Sequence, residues 1–172
     1  MNATTLALLI ALATGAVAPA PAPPRCDAPA HRAFDFWLGE WEVWSNDMRA
    51  GTNRIEKLLD GCAIAEYWRG ASGVEGRSYN AYDPALGRWR QFWVATGGGV
   101  LLLEGGPRDG GMLLEGMRPN PRTRVPQRQR IEWIRNADGS VRQLWQTSDD
   151  DGATWQVAFD GRYRRIEREP PR

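Results

Sequence analysis

Histidine and lysine are nearly missing from this 172-residue chain, which carries one of each, His31 and Lys57. One histidine and two widely spaced cysteines, Cys26 and Cys62, cannot assemble a zinc-type ligand set, so no metal is expected. A formal net charge of +1 leaves no global field to gather nucleic acid or an anionic membrane surface. The longest apolar run, residues 5–18, is too short to span a bilayer. Phosphate loops are missing too: Gly97-Gly98-Gly99 lacks the Lys and Ser/Thr of a P-loop and reads as a hairpin tip.

What is present falls into two parts. Residues 1–18 read as a signal peptide, an apolar run followed by small residues. Residues 19–30 read as a Pro/Ala tether, and the Arg/Glu/Pro tail over 166–172 as solvated and disordered. A periplasmic or secreted protein is therefore expected, with no membrane insertion of its mature part. In an oxidising compartment Cys26 and Cys62 are expected to pair, closing a loop of about 35 residues and contributing roughly 3–4 kcal/mol.

The body of the chain, residues 31–165, holds all nine tryptophans and most of the 19 glycines. Residues 29–37 fit one or two helical turns. Beyond them hydrophobicity alternates with period two, broken by turn residues every 8–12 positions, which predicts an all-β sandwich or barrel. Strands are expected near 38–46, 52–59, 62–69, 76–82, 88–96, 100–105, 111–117, 127–135, 140–148 and 154–164. Asp60-Gly61, Asp83-Pro84-Ala85-Leu86-Gly87 and Asn136-Ala137-Asp138-Gly139 are the turn signals between them.

Charged residues are rarely buried unless paired, so the alternation predicts which face points inward. Trp89, Gln91 and Trp93 go in while Arg88 and Arg90 stay out. The same choice puts Gln129, Ile131 and Trp133 inside, then Val141, Gln143 and Trp145, then Trp155, Val157 and Phe159. Two strands stay open: Ala63, Ala65 and Tyr67 or Cys62, Ile64, Glu66 and Trp68; and Ser78 with Asn80 or Tyr79 with Ala81. Indoles and carboxamides would then share one interior. A barrel of about ten strands has more interior than side chains fill, so a wet, aromatic-lined cavity is expected.

Phe34 to Trp44, read Phe-Asp-Phe-Trp-Leu-Gly-Glu-Trp-Glu-Val-Trp, carries a resemblance. A helical turn leading into Gly39-x-Trp41 at the first strand resembles the calycin superfamily of lipocalins, fatty-acid-binding proteins and nitrobindin-like barrels. The stretches 36–41, 87–93 and 141–145 are similar to an uncharacterised family of exported bacterial proteins. The resemblance implies a single antiparallel up-and-down barrel closed at one end by the helical turn. It also implies an arginine from the far end of the chain packed on Trp41: Arg162, Arg164 or Arg165, with Arg162 taken first. In the nitrobindin-like branch a late histidine ligates haem; nothing after residue 31 is histidine here, so no haem or other cofactor is expected.

The expected ligand site is Gln91, Trp93, Trp133, Gln143 and Trp145, with Asn80 and Glu66, around a small hydrophobic or aromatic molecule. An alternative makes Glu66 an acid or base in the same cavity, and a further one is a partner-binding domain with a filled core. Leu101, Leu103 and Leu113 are expected outside, where they could pack a homodimer. Ser148-x-Asp150-x-Gly152-x-Thr154-Trp155 matches the Asp-box of sialidases, a structural hairpin with its tryptophan inward. Arg122, Arg124, Arg128 and Arg130 read as a solvated edge.

Overall fold

The computed structural model describes residues 26–167; the expected signal peptide, most of the tether and most of the tail lie outside the described residues. A helical turn, α1 (Pro29–Arg32), and a 3-10 turn (Asp35–Trp37) lead into ten strands. These are β1 (Gly39–Ser45), β2 (Met48–Leu58), β3 (Ala63–Gly70), β4 (Glu75–Asp83) and β5 (Arg88–Ala95). β6 (Gly99–Arg108), β7 (Gly111–Pro119), β8 (Pro126–Arg135), β9 (Val141–Ser148) and β10 (Gln156–Arg165) complete them. Each strand pairs antiparallel with the next, and β1 closes on β10, which makes a closed up-and-down barrel.

Turn chemistry sets the hairpins. Asp83 Oδ1 accepts from the backbone N–H groups of Ala85 and Leu86 (3.0 and 3.3 Å), and Gly87 supplies the positive φ of 64° that ends this turn. The Ser148–Thr154 hairpin is held the same way. Asp150 accepts from the Thr154 N–H and hydroxyl at 2.8 and 2.6 Å, which holds its carboxyl down at about 2. It is a structural turn, as its spacing implied.

The leading segment plugs one end of the barrel. Phe34 and Trp37 stack at 4.9 Å between ring centres, and both pack on Trp133, at 5.1 and 5.3 Å. Trp89 meets Phe34 edge-on at 5.6 Å and donates from Nε1 to the Ala30 carbonyl. Trp41 donates to the Trp37 carbonyl at 2.8 Å, fixing the plug to β1. The Cys26–Cys62 disulfide, Cα–Cα 4.9 Å, ties the start of the plug to the foot of β3. Closing a loop across 36 positions contributes roughly 3–4 kcal/mol.

The glycine of Gly39-x-Trp41 has a steric cause. The Arg165 guanidinium lies 4.3 Å over the Trp41 ring, and its Nη1 would sit 2.3 Å from any Cβ added at residue 39. Arg165 also donates to the Leu38 carbonyl at 3.0 Å. This corrects the choice of Arg162. Trp41 pairs in register with Arg165, whereas Arg162 pairs with Trp44 and points outward to Asp138.

The interior register holds on β5, β8 and β9: Trp89, Gln91, Gln129, Ile131, Trp133 and Val141 are buried, and Trp93, Gln143 and Trp145 line a chamber. β3 turns Ile64, Glu66 and Trp68 inward, and β4 turns in Ser78 and Asn80. β10 departs from the expectation. A bulge between Val157 and Phe159 shifts its phase, so Phe159 and Tyr163 face in while Val157 is exposed. Trp155 packs outside, 3.9 Å beneath the Arg130 guanidinium. Leu101 and Leu103 also reverse: both are buried inside the barrel, and Val100 and Leu102 are the exposed large apolar residues of β6.

Candidate functional site

Above the plug the barrel is not filled. A chamber of about 310 Å³ opens at the end away from the helical turns, at the lower end of the roughly 300–1,000 Å³ that small-molecule sites occupy. Its walls are Trp68, Trp93, Leu101, Ile131, Trp145 and Phe159, with Glu66, Gln91, Gln143 and Tyr163 among them and Arg118 at the rim.

Glycines explain why these large rings leave space. Gly76 faces inward on β4, and a Cβ there would lie 2.0 Å from the Trp93 ring. A Cβ at Gly51 would lie 2.8 Å from Trp68, and one at Gly161 would lie 2.4 Å from Phe159. Each ring is therefore laid against a bare patch of backbone instead of projecting across the lumen. Glycine inside a strand weakens it, and close approach is the return for that cost.

One side of the chamber is a directional chain of hydrogen bonds. Asn80 Nδ2 donates to the Ile64 carbonyl and to Ser78 Oγ, at 3.3 and 2.9 Å, so its Oδ1 is the atom left to accept from Gln91 Nε2 (2.8 Å). Ser78 Oγ donates onward to Glu66 Oε2 and Asn53 Nδ2 to Glu66 Oε1, both at 2.7 Å. The donors all point toward Glu66. That carboxyl is buried, and no arginine or lysine pairs with it among the described residues. Burial pushes it up to about 7, against the pull of the Ser78 and Asn53 hydrogen bonds. Tyr163, buried nearby, is pushed well above its usual range by burial and by the Glu66 charge, so it keeps its proton. Its hydroxyl donates to Gln143 Oε1 and accepts from Asn53 Nδ2.

A second chain leads outward. Trp145 Nε1 donates to Gln129 Oε1 (2.9 Å), Gln129 Nε2 to Gln127 Oε1 (2.8 Å), and Gln127 Nε2 to Asp149 (3.0 Å). It locks the Trp145 indole as part of the chamber wall.

Five of the seven expected ligand residues come together here: Glu66, Gln91, Trp93, Gln143 and Trp145. Asn80 stands behind Gln91 as its hydrogen-bond partner, and Trp133 lies below on β8, fully buried against the plug. Arg118, Phe159 and Trp68 were missing from the expected set. The strand expected over 111–117 stops short of Arg118, but β7 runs on to Pro119, and Arg118 shares the inward phase of Met112, Leu114 and Gly116. That i, i+2 spacing was the signal that could have found it.

Among the described residues no group of three or more His, Cys, Asp or Glu is placed to hold a metal ion, and no helix is long and apolar enough to cross a membrane. No family model matches the chain, and no curated protein matches it.

Proposed function

We propose that this chain is an exported, calycin-like barrel that holds a small apolar or aromatic molecule in its open chamber. One observation carries the reading: three aromatic rings laid against inward glycines around about 310 Å³ of space, where a structural core would be filled. The Gly39-x-Trp41 motif under Arg165 supports the calycin assignment, and the disulfide supports export. Gln91 and Gln143 supply polar contacts that would orient the guest, while Trp68, Trp93, Trp145 and Phe159 supply its apolar surroundings.

A second reading has Glu66 moving a proton on the bound molecule. Its support is a carboxyl near neutrality on the chamber wall, where an acid or base works best.

The test of the first reading is tryptophan fluorescence, because Trp68, Trp93 and Trp145 surround the guest. Neutral probes such as 2-naphthamide and medium-chain alcohols should quench or shift the emission and saturate. Gly76→Ala pushes a methyl into the Trp93 ring and turns the indole into the lumen, so affinity should fall at least tenfold with the fold retained. If no probe perturbs the wild-type emission, the carrier reading is lost.

A further inference from the structure

Resting on that reading, we infer that the guest is an aromatic monocarboxylate, its ring among Trp93, Trp145 and Phe159 and its anionic group on Arg118 at the rim. Among the described residues Arg118 is the only arginine or lysine lining the chamber. Its guanidinium carbon lies 5.7 Å from the centre of the Trp145 ring, which the Gln129–Gln127–Asp149 chain holds still.

The surroundings of Arg118 differ from those of the ion-paired arginines on the outer wall. Arg49, Arg88, Arg128, Arg142 and Arg162 each meet a carboxylate, on Glu42, Glu104, Asp151, Asp160 and Asp138 respectively. The Arg118 side chain has no ion pair and no hydrogen bond among the described residues, and its Nε is shut away from solvent without a partner. The nearby loop carboxylate, Asp149, accepts from Gln127 and Asn120 instead. A guanidinium held against an indole with its donors unmet is matched by a planar anion, which a carboxylate supplies through two parallel hydrogen bonds.

The deep end gives the guest its direction. Among the described residues Glu66 is the one carboxyl lining the chamber, and it lies on the middle of β3, while Arg118 stands next to the last residue of β7. A single anionic group is therefore drawn outward to Arg118. A second carboxylate, at the other end of the guest, would meet Glu66 and be disfavoured by like-charge repulsion. Ring first, carboxylate last is the orientation that satisfies both ends.

Isothermal titration calorimetry of 2-naphthoate and 2-naphthamide, two probes of one shape and different charge, tests this at pH 7.5 and low salt. Wild-type protein should bind the carboxylate at least tenfold more tightly than the amide. Arg118→Gln should bind both with the affinity of the amide, and Arg118→Lys should keep part of the preference; near-UV circular dichroism checks that each variant is folded. Equal wild-type affinities, or a preference that survives Arg118→Gln, overturns the assignment of the anion while leaving the carrier reading standing. If neither probe binds the wild type, both fall together.

Discussion

Trp133→Ala is expected to cost about 3–5 kcal/mol of unfolding free energy, the range for emptying a large aromatic site in a close-packed core. Trp133 is fully buried, touches both Phe34 and Trp37, and forms the level at which the leading segment closes the barrel. Its removal leaves a hole that the strands, closed into a ring, cannot collapse to fill. Trp133→Phe should cost much less, because the indole Nε1 has no hydrogen-bond partner to lose. Trp155→Ala is the control. That indole lies outside beneath Arg130, and losing a surface cation–π contact is worth about 0.5–1 kcal/mol. Urea denaturation of the three variants measures the contrast; equal losses at residues 133 and 155 would contradict the packing of Trp133 against the plug.

The second large effect is a dependence on pH set by Glu66. Its carboxyl is raised in the folded state to about 7 from an ordinary 4.5, so between these values the native protein holds a proton that the unfolded chain has released. Stability from this group is complete below about pH 4.5, falls as pH rises through the window, and reaches its full deficit above about pH 7. At about 1.4 kcal/mol per unit, the loss between pH 5 and pH 8 is on the order of 2–3 kcal/mol. Glu66→Gln removes the titration, so its stability should be flatter by that amount over the same span. Unfolding free energies of the two proteins at pH 5, 6, 7 and 8 decide the matter. Parallel profiles would mean that Glu66 ionises in the folded state as it does in the open chain.

Much of this architecture could be read from the residues. Alternation of tryptophan and glutamine against arginine set the inward faces of β5, β8 and β9, because one register kept every guanidinium in water. Asp-Gly and Pro-containing turns set the hairpins, and Gly39-x-Trp41 marked the first strand. Three things escaped for physical reasons. A bulge adds a residue without leaving a composition signal, so the face of β10 reversed at Ala158 and carried Trp155 and Val157 outside. Runs such as Leu101 to Leu103 have no alternation, so period two could not say which leucines face in. The inward glycines 51, 76 and 161 read as weak points in strands, yet they make room for the rings that bound the chamber. Glu66 and Trp68 were one of two open choices on β3; pairing of β3 with β4 settled it, since Glu66 stands opposite Ser78.

The claim beneath all of this is that the open end of the barrel is room, not core. A crystal of the protein soaked in 2-naphthamide tests it most directly. Ring-shaped difference density is expected between Trp93, Trp145 and Phe159, with the amide within hydrogen-bonding distance of Gln91 or Gln143. Side chains of Trp93 and Phe159 swung across the lumen, with no space left between them and no bound ring, would contradict it.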